Sequence, residues 1–116
     1  MTRSTTFAQG DHRSFNREGA AFDKGETFSG VDFETGLQAV EELRPLVPPG
    51  ASMAQMALRW ILMFPEVTCA IPGAKRPTQA EDNVHAADLP PLSEATMQKI
   101  REIYDRYIRP QVHQLW

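Results

Sequence analysis

The chain has 116 residues, 41% hydrophobic and 23% charged, with a formal net charge of −3 at pH 7, the composition of an ordinary globular protein. Its 12 basic and 15 acidic residues form no long cationic stripe, which argues against nucleic acid as the main partner. No apolar run approaches the roughly 20 residues of a membrane span. The first residues contain no apolar core of signal-peptide length. Cys69 is the only cysteine, so there is no intrachain disulfide framework. No His/Cys spacing fits a zinc site, and the expected compartment is the cytoplasm.

Residues 1–30 are rich in Gly, Ser, Thr, Asn and charge, and Phe15, Phe22 and Phe28 are too irregularly spaced for a helix face. Such a long loop is expected to be functional or disordered, here extended or mobile with its Phe side chains loosely packed. A first helix is predicted from Asp32 to Leu46. Asp32 suits the N-cap, and Phe33, Leu37, Val40 and Leu43 repeat at helical spacing opposite Glu34, Glu41 and Glu42. Arg44-Pro45 can end this helix early, and Pro48-Pro49-Gly50 turns the chain.

The second helix has the strongest signal. Ser52 and Gln55 have capping-box spacing. Met53, Met56, Ala57, Trp60, Ile61 and Phe64 then form a broad apolar face, read as core rather than as a ligand groove, and Pro65 stops the helix. Val67–Ile71 is apolar and β-branched between Pro65 and Pro72-Gly73, which predicts a strand with little water on either face. Cys69 inside it is expected to be a small buried hydrophobe. With no neighbour to supply a ladder, this segment would remain extended coil. A third helix is predicted from Pro77 to Ala87, with polar residues toward a ligand and Ala residues allowing close packing. A fourth runs from Ser93 to Tyr107, capped by Ser93 and lined by Met97, Ile100, Ile103, Tyr104 and Tyr107, and Pro110 ends it. The tail Gln111–Trp116 either folds back or hangs free.

The run Val67-Thr-Cys-Ala-Ile-Pro-Gly-Ala-Lys-Arg-Pro-Thr-Gln-Ala-Glu-Asp-Asn83 concentrates the chemistry. It reads as strand, Gly turn, adjacent cations and helix. Pro77 fits the first helical turn. Lys75 and Arg76 precede a helix start, where backbone N–H groups and the positive dipole end favour phosphate. Gln79 and Asn83 are amides on one helical face, able to donate and accept toward a polar heterocycle. The same residues also describe a loop with solvated cations before an ordinary surface helix. Chemistry alone leaves both readings open. No dinucleotide-binding glycine fingerprint, Walker-type loop or serine nucleophile elbow occurs.

The run Ile71-Pro-Gly-Ala-Lys-Arg-Pro-Thr-Gln-Ala-Glu-Asp-Asn83 resembles the C-terminal cofactor motif of the aldo-keto reductases, NADPH-dependent oxidoreductases with a (β/α)8 TIM barrel. Met53-Ala-Gln-Met-Ala-Leu-Arg-Trp60 resembles their seventh barrel helix, and Val67–Ile71 their eighth strand. Ala87-Asp-Leu-Pro-Pro-Leu-Ser-Glu94 resembles the approach to their last helix. Phe15-Asn-Arg-Glu-Gly19 and Gly25-Glu-Thr-Phe-Ser-Gly30 resemble the segment after strand seven in one bacterial branch.

A whole barrel needs about 250 residues. The resemblance therefore implies an α/β fold class: the C-terminal third of a barrel, mostly helical with one strand, Val67–Ile71, and an irregular N-terminal segment. Residues 1–30 would be the long loop after strand seven. Residues 31–116 would be the last helices, strand eight and the cofactor-binding loop. Met1 would be an internal methionine of a truncated reading frame.

By the same resemblance, Gly73 and Ala74 let the backbone approach the cofactor, and Lys75 and Arg76 face the 2′-phosphate of NADPH. Gln79 and Asn83 meet adenine or ribose. Asp82 either contacts the adenine amino group or is a solvated acid. Some relatives carry Lys-Ser in place of Gly73-Ala74 and Arg in place of Gln79, which shifts the cation to Lys75 or Arg76. The family's catalytic Asp, Tyr, Lys and His lie in the first half of the barrel, so no catalytic residue is assigned here. Tyr104 and Tyr107 fall on an outer helix, and His12, His85 and His113 match no motif. Trp116 is either a substrate contact or a loosely packed terminal aromatic. The implied partners in the full-length context are NADP(H) and a small carbonyl substrate, with self-association through exposed barrel-interior faces. The other readings are a non-catalytic helical interaction module, a truncated product without independent activity, or a nucleotide-phosphate binder without chemistry.

Overall fold

Helix signals dominate the chain after residue 30, and helices are what forms. The computed structural model describes residues 6, 8–11, 14 and 30–115. The expectations for Phe15, Phe22, Phe28, His12 and Trp116 lie outside these residues. Among the described residues, the chain runs through α1 (Phe33–Leu43), α2 (Met53–Ile61), α3 (Pro77–His85) and α4 (Glu94–Ile103). Short 3-10 turns follow α1 at Arg44–Leu46 and α3 at Ala86–Asp88. A π-helical turn, Tyr104–Ile108, leads from α4 into a short α5 (Arg109–Val112) and a last 3-10 turn, His113–Leu115. Two compact units result: Met1–Pro45 with Lys99–Trp116, and Leu46–Gln98.

In the first unit, α1 starts as its sequence dictates. An Asp32 carboxylate oxygen accepts the Thr35 backbone N–H at 3.0 Å, satisfying a donor the helix start leaves open. The Thr35 hydroxyl donates to the other oxygen. These bonds, the hydroxyl's first and the backbone N–H's second, hold the Asp32 carboxyl below its ordinary value. A depressed carboxyl contributes stability above its unfolded value of about 3.9 and loses it as pH falls through the lower folded value. Asp32→Asn is therefore expected to flatten the acid limb of stability. Denaturant midpoints from pH 7 down to 2 should fall less steeply for the variant. Parallel limbs would show that this cap does not couple to pH.

The α ladder stops at Leu43 because Pro45 has no N–H to return to Glu41. Phe33, Leu37 and Ala39 are buried, and α1 packs against the π-helical turn. There Glu42 accepts the Tyr107 hydroxyl at 2.6 Å and two bonds from Arg106 Nη1 at 2.9 and 3.1 Å.

Pro110 does not end the last helix, contrary to its sequence reading. In an unbroken α-helix its ring would strike the Arg106 carbonyl. The wider turn instead sends the Arg109 N–H five residues back to the Tyr104 carbonyl. Pro110 then sits in the first turn of α5, where no donor is needed. The tail continues as helix as far as described, through α5 and the last 3-10 turn, and Val112 is buried.

In the second unit, α2 opens with the full capping box. Ser52 N–H donates to Gln55 Oε1 at 3.0 Å, and Gln55 N–H donates to Ser52 Oγ at 3.1 Å. The helix packs against α3 and the Ala86–Asp88 turn. Met56, Ala86 and Leu92 are buried. The rest of the predicted apolar face is only partly covered: Met53, Trp60 and Ile61 are half-buried, and Ala57 and Phe64 are exposed. The packing partners cover one stripe of α2 and leave its flank in water. Trp60 and Phe64 meet edge to face, with ring centroids 5.0 Å apart. Ala80 on α3 is exposed, and in the 3-10 turn after it Ala87 is exposed while Ala86 is buried.

The predicted strand is absent. Val67–Ile71 is coil, and Thr68, Cys69 and Ile71 are exposed. The Val67 N–H closes a turn onto the Phe64 carbonyl at 3.0 Å. A β-branched run supplies strand propensity, yet a ladder needs a neighbouring strand. None is found among the described residues. The burial expected for Cys69 fails with the strand. Helix α4 begins as expected, with the Thr96 N–H donating to Ser93 Oγ at 3.1 Å. Ile103 is its buried anchor, while Met97 and Ile100 are half-buried.

Candidate functional site

The site lies wholly within the second unit, on the loop from Gly73 to Arg76 and the face of α3 that follows it. Pro77 fixes the backbone for the helix start and removes one N–H. Gln79, three residues after the cap position Arg76, reaches back over the loop. Its Oε1 accepts the Lys75 N–H at 2.9 Å and the Arg76 N–H at 3.1 Å. One turn further, Asn83 Nδ2 donates to the Gly73 carbonyl at 3.4 Å. The two amides of the predicted face thus grip the loop at both ends. Their separation, one helical turn, lets a single α3 face do this.

Helix α3 is itself tied down. Gln55 on α2 donates through Nε2 to the Asp82 carbonyl at 3.0 Å. Arg59 Nε donates to the Leu89 carbonyl at 2.8 Å, holding the chain just beyond the 3-10 turn. The platform under the cation loop is therefore braced by two polar side chains of the neighbouring helix.

Lys75 and Arg76 are exposed, as are Gly73, Ala74 and Asp82. Gln79 and Asn83 are half-buried. The structure brings all seven sequence-predicted residues onto one loop and the adjoining helix. It changes how an anion would be met. The N–H groups of Lys75 and Arg76 already donate to Gln79, and that of Gln79 donates to the Arg76 carbonyl at 3.0 Å. A phosphate approaching the cations would be held chiefly by their side chains. A Cβ added at Gly73 would meet nothing within 4 Å. The chain's own packing thus does not require glycine there.

Sequence reasoning missed the loop-bracing role of Gln79. The signal was present: an amide at the third helical position is the arm that reaches back in a capping box. It was masked because the cap position holds Arg76 instead of Ser or Thr. Tyr104 and His113, distant in the sequence, meet through a 2.8 Å hydrogen bond between the hydroxyl and Nδ1. They belong to the first unit and not to this site. Among the described residues no cluster of His, Cys, Asp or Glu could hold a metal ion, and no helix is long and apolar enough to cross a membrane.

The sequence profile of the aldo/keto reductase family matches residues 1–105. A protein of Arabidopsis thaliana named as a probable voltage-gated potassium channel subunit beta is 33% identical over 69 residues, 58% of this chain and 21% of that protein. The NADP(+) aldo-keto reductase yakc of Schizosaccharomyces pombe is 28% identical over 99 residues, 85% of this chain and 26% of that enzyme. The chain thus spans about a quarter or less of the length of these two relatives. No solved structure matches it significantly. With a family match that covers most of its length, including the whole cation loop and α3, the chain belongs to the aldo/keto reductase family.

Proposed function

We propose that this chain carries the adenosine-phosphate end of an NADPH site. Within a longer protein it would be the C-terminal third of a (β/α)8 barrel that interconverts small carbonyl compounds and alcohols. The observation that carries the reading is the adjacent, exposed pair Lys75 and Arg76 on a loop held by Gln79 and Asn83. A preset pair of cations suits a doubly charged 2′-phosphate, since charge-assisted bonds are the stronger polar contacts. The residues present fit that group through side chains. When bound, the cofactor supplies hydride for the reaction. Gln79 and Asn83 border the adenine or ribose, Asp82 lies toward the adenine amino group, and Gly73 and Ala74 leave the loop backbone open to close approach.

In this reading residues 1–30 form the loop after strand seven, Val67–Ile71 becomes strand eight when neighbouring strands are supplied, and the protein is cytoplasmic. In this reading the isolated chain self-associates through the barrel-interior faces that the missing part of the barrel would cover.

The reading assigns no proton donor to this chain. Pure 116-residue protein is therefore expected to show no NADPH-dependent reduction of simple aldehydes or aryl ketones in an absorbance assay at 340 nm. Tyr107 is committed to Glu42, and Tyr104 to His113. Clear turnover would place a catalytic Tyr among these two and overturn the division of labour proposed here.

A further inference from the structure

Two amide side chains at one helical turn's spacing hold the cation loop, and one of them does so twice. Gln79 Oε1 accepts from two consecutive backbone donors, Lys75 and Arg76, while Asn83 holds the Gly73 carbonyl. We propose that Gln79 is a positioning residue: it sets the arrangement of the Gly73–Arg76 loop before any ligand arrives, and it acts on nucleotide affinity through Lys75 and Arg76 rather than by touching the nucleotide with that oxygen. The nucleotide half of this inference rests on the cofactor reading above; the loop-ordering half does not.

The chemistry favours this role. An amide oxygen has two lone pairs and can accept two N–H bonds at once. Both are used here on neighbouring residues, which fixes the peptide between them. Pro77 limits the backbone immediately after, so the loop is restrained on both sides of Arg76. A loop ordered in advance loses less conformational freedom on binding, and pre-ordering of this kind raises affinity without a new contact. The platform does not depend on Gln79, because Gln55 and Arg59 hold α3 and its exit independently. Removing the Gln79 acceptor should therefore loosen the loop and leave the helix in place.

The test uses the 116-residue protein with three side chains at position 79. Gln79→Leu keeps the size and removes the acceptor. Gln79→Glu keeps an acceptor oxygen for the same two donors. Amide hydrogen exchange is read at Lys75 and Arg76, with Met56 in α2 as the control for folding. NADP+ titration is followed on the same samples. In Gln79→Leu, exchange at Lys75 and Arg76 is expected to rise about tenfold with Met56 unchanged, and NADP+ affinity to fall about five- to tenfold, the size of one or two ordinary hydrogen bonds. Gln79→Glu should restore the exchange protection. Unchanged exchange in Gln79→Leu overturns the proposal, whatever happens to affinity. Loss of protection with unchanged affinity overturns the nucleotide half. If the wild-type chain binds no NADP+ while the exchange pattern holds, the loop-ordering role stands and the cofactor reading fails. If Met56 exchange rises in Gln79→Leu, the Gln79→Glu sample decides by restoring or not restoring protection at Lys75 and Arg76.

Discussion

Ile103→Ala is expected to destabilise the chain by about 2–5 kcal/mol, the range for emptying a fully buried branched site. Ile103 is 2% exposed and sits where α4 meets the π-helical turn. Among the described residues of its unit, the buried apolar side chains are Phe33, Leu37, Ala39, Ile103 and Val112. Small domains bury a lower fraction of their surface and start with little stability to lose. The melting temperature should drop by about 10 °C or more, since each 1 kcal/mol shifts a domain of this size by several degrees. Ile103→Val, which removes one methylene, should cost about 0.5–1.5 kcal/mol. Thermal melts followed by circular dichroism give the comparison. If Ile103→Ala melts with wild type, the packing of the first unit described here is wrong.

Features set by neighbours in sequence could be read from the sequence, and features set by distant partners could not. The Asp32 cap, the Ser52–Gln55 capping box and the Ser93 cap each depend on residues within three positions, and all three form. The early end of α1 at Pro45 is local too. Val67–Ile71 takes the coil alternative stated for a segment with no neighbour, because a strand is a pairing and its β-branched residues report only half of it. The exposure of Cys69 follows from the same missing partner. Pro110 was misread because its cost was assigned to an α-helix, whereas the chain inserts a π-helical turn and avoids the clash. Glu42 gathers Arg106 and Tyr107 from 64 and 65 residues away, and no spacing rule links positions that far apart.

The site divides along the same line. The cations, Gln79 and Asn83 stood out because they cluster within one turn of a predicted helix start. Their internal geometry did not, because Arg76 carries no cap side chain of the usual kind and so hid the reach of Gln79. The seven residues singled out lie on one loop and the helix that follows it.

Changing Lys75 and Arg76 together to Ala, in a complete barrel carrying this segment, is expected to lower NADPH affinity by roughly one to three powers of ten. Each charge-assisted bond lost costs about 1.5–3 kcal/mol, and about 1.4 kcal/mol is tenfold. Both side chains are exposed, and solvent screening places the loss toward the lower end. The helix start should survive, because Gln79 holds the loop through backbone N–H groups that Ala also supplies. NADH lacks the 2′-phosphate, so its affinity should barely move. Fluorescence titration of both cofactors against wild type and the double variant measures the difference. A loss confined to NADPH is the predicted result. An equal loss for NADPH and NADH would show that the cations serve the fold or the shared pyrophosphate, and the assignment of Lys75 and Arg76 to the 2′-phosphate would be contradicted.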